Sequence, residues 1–137
     1  MSFVLDSSVS LTWCFEDERT DATDALLERV AESGATAPAL WPLEVLNALA
    51  MAERRRRIDS ERRQRLAGFL HDLPVTIDGE TASQAWAVTS QLAARFRLTV
   101  YDAAYLELAQ RLNLPLTTLD QELRAAAAAL GVTLLGT

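Results

Sequence analysis

An α/β fold is predicted, a three-layer α/β/α sandwich around a short-stranded, mostly parallel sheet, and three observations predict it. Short apolar runs alternate with longer stretches of helical period; each run ends in residues that favour turns or helix starts; and 137 residues, half of them apolar, can bury a core without disulfides or a structural metal. No repeat or linker interrupts the chain, so residues 1–137 are read as one domain.

Ser2-Phe3-Val4-Leu5 reads as a buried first strand, and Asp6-Ser7-Ser8 closes it with helix-starting residues. A short helix over 9–15 and a polar connection over 16–20 follow. Residues 21–33 form a second helix with Ala25, Leu26 and Val30 as its buried stripe and Gly34 as its stop. Ala35-Thr36-Ala37 is a brief strand closed by Pro38. Pro42 suits the first position of a third helix, which puts Glu44 in its first turn and Val45, Leu46, Leu49 and Ala52 on its apolar side.

That helix runs on into the basic residues Arg54, Arg55, Arg56 and Arg57. Asp59 or Ser60 caps a fourth helix, with Arg62, Arg63 and Arg65 outward and Leu66, Phe69, Leu70 and Leu73 inward. Pro74-Val75-Thr76-Ile77 is a third strand, and a helix over about 80–95 carries Trp86. Next comes a helix with Asp102 in its first turn, Ala104, Leu108 and Leu112 on one face and Tyr105 beside them, ending near Asn113. Pro115 restarts the chain as a strand over 116–119, with Asp120 at its carboxyl end. An alanine-rich helix over 121–130, stopped by Gly131, and a strand over 132–135 complete the chain.

The formal charge of −6 argues against a general nucleic-acid coat protein, though not against a local basic patch. Lysine is absent altogether, which removes the phosphate-loop lysine and Schiff-base chemistry. Cys14 is the one cysteine, so there is no internal disulfide and no cysteine zinc cluster, and His71, the one histidine, gets no role. No apolar run reaches the roughly 18 to 20 residues of a membrane span, and the N-terminus lacks a signal-peptide pattern; a cytoplasmic protein is expected.

Asp6, Glu44, Asp102 and Asp120 come from separate segments, each at a strand end or in the first turn of a helix. In an open parallel sheet those places share one edge. Each acid alone has a plain explanation, since carboxylates cap free amides and complement the helix dipole, and Thr99-x-x-Asp102 fits a loose capping box. As a set, several covered carboxylates would take up protons unless a cation offset them. With no lysine available, a hard divalent ion, Mg²⁺ or Mn²⁺, suits all-oxygen ligation better than zinc. An aspartyl-phosphate phosphotransferase would want a second aspartate where Ser8 stands, and a lysine. A non-catalytic interaction module whose acids cap helices or bind a partner is the remaining alternative.

Val4-Leu5-Asp6-Ser7-Ser8-Val9-x-Leu11-x-Trp13, Pro42-Leu43-Glu44-Val45-Leu46-Asn47-Ala48-Leu49, Thr99-x-Tyr101-Asp102-Ala103-Ala104-Tyr105-x-x-x-Ala109 and Leu116-x-Thr118-x-Asp120 together resemble the four motifs of PIN-domain ribonucleases, specifically the VapC-type toxins of bacterial toxin–antitoxin pairs. The resemblance spans nearly the whole chain, in order. It implies that Asp6, Glu44, Asp102 and Asp120 are the acidic catalytic quartet of an Mg²⁺-dependent endoribonuclease, Mn²⁺ being the other candidate ion. Asp6, Asp102 and Asp120 form the metal set, Asp6 and Asp102 as direct ligands, while Asp120 and Glu44 act through water. Thr118 and Asn47 match supporting positions, and Ser7 departs from the small alanine usual there. The implied partners are an RNA substrate, a cognate antitoxin and a second copy of the chain as a homodimer. Arg54, Arg55, Arg57 and Arg62 are candidates for RNA phosphates, or else a solvated face. Trp13, Trp41, Trp86, Tyr101 and Tyr105 are read as core or dimer interface rather than base-stacking groups.

Overall fold

The computed structural model describes residues 2–136. Strand β1 (Val4–Leu5) lies at the centre of a five-stranded sheet, between β2 (Ala35–Ala37) and β4 (Leu116–Thr117), with β3 (Val75–Ile77) and β5 (Leu134–Leu135) at the edges. Every pairing is parallel, so the sheet expected to be mostly parallel is wholly so among the described residues. Burial follows strand position. Phe3, Val4 and Leu5 expose nothing, as a strand covered on both faces requires, whereas Ile77 in edge strand β3 is 41 % exposed.

The strand order fixes where ligands can enter. The chain builds β1, β2 and β3 outward in one direction and then returns to the other flank of β1 for β4 and β5. That reversal opens a crevice at the carboxyl ends of β1 and β4, where open parallel sheets bind their ligands.

The helices are α1 (Ser7–Thr12), α2 (Asp21–Ser33), α3 (Trp41–Arg54), α4 (Ser60–Asp72), α5 (Thr81–Gln84), α6 (Ser90–Phe96), α7 (Val100–Leu112) and α8 (Gln121–Ala129). They cover both faces of the sheet and complete the α/β/α sandwich. Their ends follow local chemistry. Thr20 and Thr23 form a capping box on α2, and Gly34 leaves that helix at φ +73°, a conformation unfavourable for other residues. Asp59 caps α4, and Thr99 caps α7 by accepting from the Asp102 N–H at 3.1 Å.

Helix α7 is the most deeply seated, with residues 103–109 all buried between the sheet and the segment formed by α5 and α6. Tyr105 exposes nothing. Glu107, at 3 % exposure, is the one charged residue of that run, and Arg111 one turn on neutralises it at 2.7 Å. The same guanidinium reaches Asp78 beyond β3 at 2.7 Å and Glu80 at 3.1 Å, tying the end of the edge strand to α7. Burial acts to raise the Asp78 carboxyl, but the hydrogen bonds and charge of Arg111 outweigh it and hold Asp78 below its ordinary value.

Several element details differ from expectation. The buried stripe of α2 is Thr23, Leu26 and Val30, with Ala25 exposed, because Ala25 sits about 100° round the helix from Leu26. For the same reason Leu46 is 46 % exposed while Val45, Leu49 and Ala52 pack inward. Leu112 is 42 % exposed at the end of α7, beyond the core that covers Ala104 and Leu108. The helix expected over 80–95 contains a π turn, Ala85–Thr89, between α5 and α6. Strand β4 is two residues long rather than four, since Thr118 and Leu119 turn away toward α8. Among the described residues no helix is long and apolar enough to cross a membrane.

Candidate active site

Asp6 leaves β1 directly into the crevice and is 3 % exposed. It occupies the N-cap position of α1 with an extended backbone, yet its side chain makes no capping bond. Instead Oδ2 accepts from the Thr118 hydroxyl at 2.6 Å and the Ser8 hydroxyl at 2.7 Å. Both hydroxyls are themselves fixed: Thr118 Oγ1 accepts from the Asp120 N–H at 3.1 Å, and Ser8 Oγ accepts from the Leu119 N–H at 3.1 Å. The turns after β1 and β4 are thereby locked together around one carboxylate. The Ser7 hydroxyl makes a long 3.5 Å contact to Asp6 Oδ1, and Ser7 helps to lower the Asp6 and Glu44 carboxyls against burial.

The other three acids approach from helix starts. Glu44, in the first turn of α3, accepts from the Tyr105 hydroxyl at 2.6 Å. Asp102 stands in the first turn of α7, where Thr99 supplies the cap and leaves the acid without that duty. Asp120 does cap α8, its Oδ1 accepting from the Leu123 N–H at 2.8 Å, so the plain structural explanation holds for one of its oxygens.

These carboxylates feel one another. Burial pushes Asp6 up from the ordinary carboxylate value, the Thr118 and Ser8 hydroxyls pull it back, and the charge of Asp120 adds to the rise. Glu44 is raised by burial and then by the charges of Asp6 and Asp102, against the Tyr105 hydrogen bond. Asp102 is raised by burial and then by Asp6 and Asp120. No basic side chain figures among the leading influences on any of the three.

In chemical type the donor set, carboxylate oxygens of which three are raised chiefly by burial, suits a hard divalent cation. As they stand, no three His, Cys, Asp or Glu side chains among the described residues are drawn tightly enough together to enclose an ion. Nitrogen and sulfur donors lie elsewhere. His71 is exposed beside Asp72 on α4, and the Cys14 thiol is buried in the core and pushed up to about 11 by desolvation.

Three residues enter that sequence reasoning did not assign to the site, Ser8 through its bond to Asp6 and two more from further along the chain. Tyr105, read as core or interface, is core and also holds Glu44; a fully buried tyrosine needs a partner for its hydroxyl, which is the signal that points to it. Arg124 Nη1 donates to the Thr118 carbonyl at 2.8 Å and braces the turn that carries Thr118 and Asp120. Asn47 is exposed one turn after Glu44, outside the hydrogen-bonded set.

The aromatic and basic residues separate clearly. Trp13 and Trp41 are core, each indole N–H donating inward, to the Thr23 carbonyl at 2.7 Å and to Ser10 Oγ at 2.9 Å. Trp86 is 93 % exposed and Tyr101 64 %, so neither is core. Arg57 packs 3.9 Å over the Phe15 ring and pairs with Asp17 at 2.9 Å and Glu18 at 2.8 Å, a structural clamp between the turn after α3 and the segment after α1. Arg63 pairs with Glu53. Arg54, Arg55 and Arg62 are exposed and make no ion pair among the described residues; Arg54 lies ten residues past Glu44, about 15 Å along the helix.

Thr118→Val removes the 2.6 Å donor that orients Asp6. It is expected to raise the Mg²⁺ concentration giving half-maximal thermal stabilisation by about 10- to 100-fold, the usual effect of losing a group that aims a ligand. An unchanged midpoint would mean that Thr118 does not aim Asp6 at an ion.

The model of the PIN domain family matches residues 3–129, nearly the whole chain. No curated protein matches the chain by sequence. Solved structures of similar fold include PAE2754 from Pyrobaculum aerophilum (22 % identity, TM-score 0.65, covering 92 % of this chain and 84 % of that one). VapBC2 from Rickettsia felis bound to a DNA fragment from their promoter is another (13 % identity, TM-score 0.67, 98 % and 97 % coverage). FitAcB from Neisseria gonorrhoeae is a third (16 % identity, TM-score 0.68, 98 % and 96 % coverage). At such identities the likeness is one of fold, and it agrees with the strand order and crevice described above. The family match over residues 3–129 establishes that the chain belongs to the PIN domain family.

Proposed function

We propose that the protein is a Mg²⁺-dependent endoribonuclease, and the toxin half of a toxin–antitoxin pair, that hydrolyses RNA phosphodiesters at the crevice between β1 and β4. The observation that carries this reading is Asp6, buried at the end of β1 without a capping bond and held by the Thr118 and Ser8 hydroxyls beside Asp120, with its charge felt by both Glu44 and Asp102. PIN domains are generally nucleases, the four motifs resemble those of VapC-type toxins, and VapBC2 and FitAcB share the fold.

Asp6 and Asp102 would hold the ion directly. Asp120, with one oxygen committed to the α8 cap, and Glu44, tethered by Tyr105, act at longer reach and orient water. Thr118 and Ser8 favour the ionised form of Asp6 against burial and aim it, and Arg124 keeps Thr118 in place. When bound, a divalent ion lowers the pKa of water and offsets charge on the phosphodiester and its leaving oxygen. An acid pocket whose nearby Arg124 is engaged with the Thr118 carbonyl also suits silencing by an antitoxin segment that inserts an arginine.

The test is cleavage of cellular RNA by the purified protein, stopped by EDTA and restored by Mg²⁺ or Mn²⁺. A protein that binds neither ion and cuts nothing is instead an interaction module, the reading that the Asp120 cap favours for that residue.

The free arginines Arg54, Arg55 and Arg62 serve the RNA backbone in this reading, whereas Arg57 is occupied. Changing the three to alanine is expected to lower the slope of log affinity against log salt by about 0.7 for each phosphate that is no longer neutralised. An unchanged slope assigns them to a solvated face.

A further inference from the structure

We infer that Tyr101 is a stacking platform for an unpaired base of a single-stranded RNA, seated in a hollow that opens beside Glu44. This rests on the nuclease reading and names the substrate form it would take. The hollow has a volume of about 310 Å³ and is lined by Leu40, Leu43, Glu44, Asn47 and Tyr101. Glu44 belongs to the acidic set, so a nucleotide in the hollow is continuous with the crevice where a phosphodiester would lie. Tyr101 directly precedes Asp102 in α7, which fixes the ring to the same rigid element as a candidate metal ligand.

The chemistry of the hollow is that of a base rather than a phosphate. Tyr101 is 64 % exposed and Leu43 is 72 % exposed, an aromatic ring and an aliphatic side chain presented to solvent at the rim of a polar crevice. Glu44 would repel a backbone phosphate there, whereas a neutral ring gains from apolar contact. Asn47, one turn after Glu44, offers both a donor and an acceptor, the pair needed to meet a base edge. A base buried in a duplex cannot present its face to the ring, which selects single strands.

Charge makes such an anchor necessary. The chain carries a net charge of −6 and the carboxylate-bearing Glu44 lines the hollow, so charge there opposes an RNA backbone. Stacking holds a base without depending on salt.

The test is binding of a short fluorescein-labelled single-stranded RNA of mixed sequence, measured by anisotropy at several salt concentrations in the D6N background so that no probe is consumed. Y101A is expected to bind about 5- to 100-fold more weakly with an unchanged salt slope, and Y101F to bind like its parent. Equal binding by Y101A overturns the inference. A changed oligomeric state in Y101A, read by light scattering, also overturns it and assigns the face to a second copy of the chain. The two readings fail separately: a wild-type protein that cleaves RNA with Mg²⁺ while Y101A binds normally sinks the stacking platform alone. One that neither binds nor cleaves single-stranded RNA sinks both.

Discussion

Asp6→Asn is expected to abolish the proposed metal-dependent cleavage, by about 10³-fold or more, while the metal-free fold is retained and at neutral pH is no less stable than wild type. The activity loss is expected from removing a proposed direct ligand, because the charge stabilisation a metal supplies is several kcal/mol and each 1.36 kcal/mol is tenfold in rate. The stability half of the result follows from burial. Asp6 is 3 % exposed and its carboxyl is raised, which means that the folded protein carries the ionised form at a cost. Asparagine has nearly the same shape, keeps an acceptor for the Thr118 and Ser8 hydroxyls, and carries no charge. Thermal melts in EDTA and in Mg²⁺ separate the two effects. Wild type gains about 2.7 kcal/mol when the ion is present at a hundred times its dissociation constant, and the variant gains little. Asp102→Asn, at a carboxyl raised by burial and by the charges of Asp6 and Asp120, is expected to follow the same pattern. Cleavage by both variants at the wild-type rate removes these residues from the chemistry.

The parts of this site that were legible in the sequence are those set by local chemistry. An apolar triplet ending in Asp6-Ser7-Ser8 announces a buried strand that exits into a helix, and Thr99 three residues before Asp102 announces a cap. What distinguishes a capping acid from a free one was not legible. The same sequence position leaves Asp6 without a capping bond and gives Asp120 one, because the outcome depends on where Thr118 and Ser8 arrive from other elements. Strand order was hidden too, since strands of two or three residues carry almost no pairing information, and the order alone puts the crevice between β1 and β4. Helical period predicts Leu46 and Ala25 as readily as their neighbours, and only the rotation of the helix against the sheet decides which is covered. Ala85–Thr89 fits an α-helical pattern as well as a π one, so that turn left no mark in the composition.

The ion pair network on the far part of α7 is where a single change should cost the fold most. Glu107 and Arg111 stand four apart and look in sequence like an ordinary exposed helix pair, worth a few tenths of a kcal/mol. In the structure the Glu107 side chain is 4 % exposed, the Asp78 side chain 9 %, and the Arg111 guanidinium joins them at 2.7 Å each. Removing the base strands two covered carboxylates in the same neighbourhood, the case in which breaking a buried pair costs about 3 to 5 kcal/mol. Arg111→Met is therefore expected to lower stability by that amount in urea unfolding, far more than Arg57→Met, whose partners Asp17 and Glu18 are exposed. The acid side of the stability profile carries a second signature. Asp78 is held below its ordinary value of 3.8 chiefly against burial by Arg111. Its stabilisation is thus complete above that value and is lost as pH falls through the lower folded one. Wild type should lose this contribution below about pH 4, and Arg111→Met should show a shallower fall there, having lost it already. Adding Glu107→Gln to Arg111→Met removes one stranded charge and should recover part of the stability. A double variant no more stable than Arg111→Met would place the cost in lost packing of the arginine stem rather than in the unpaired acid.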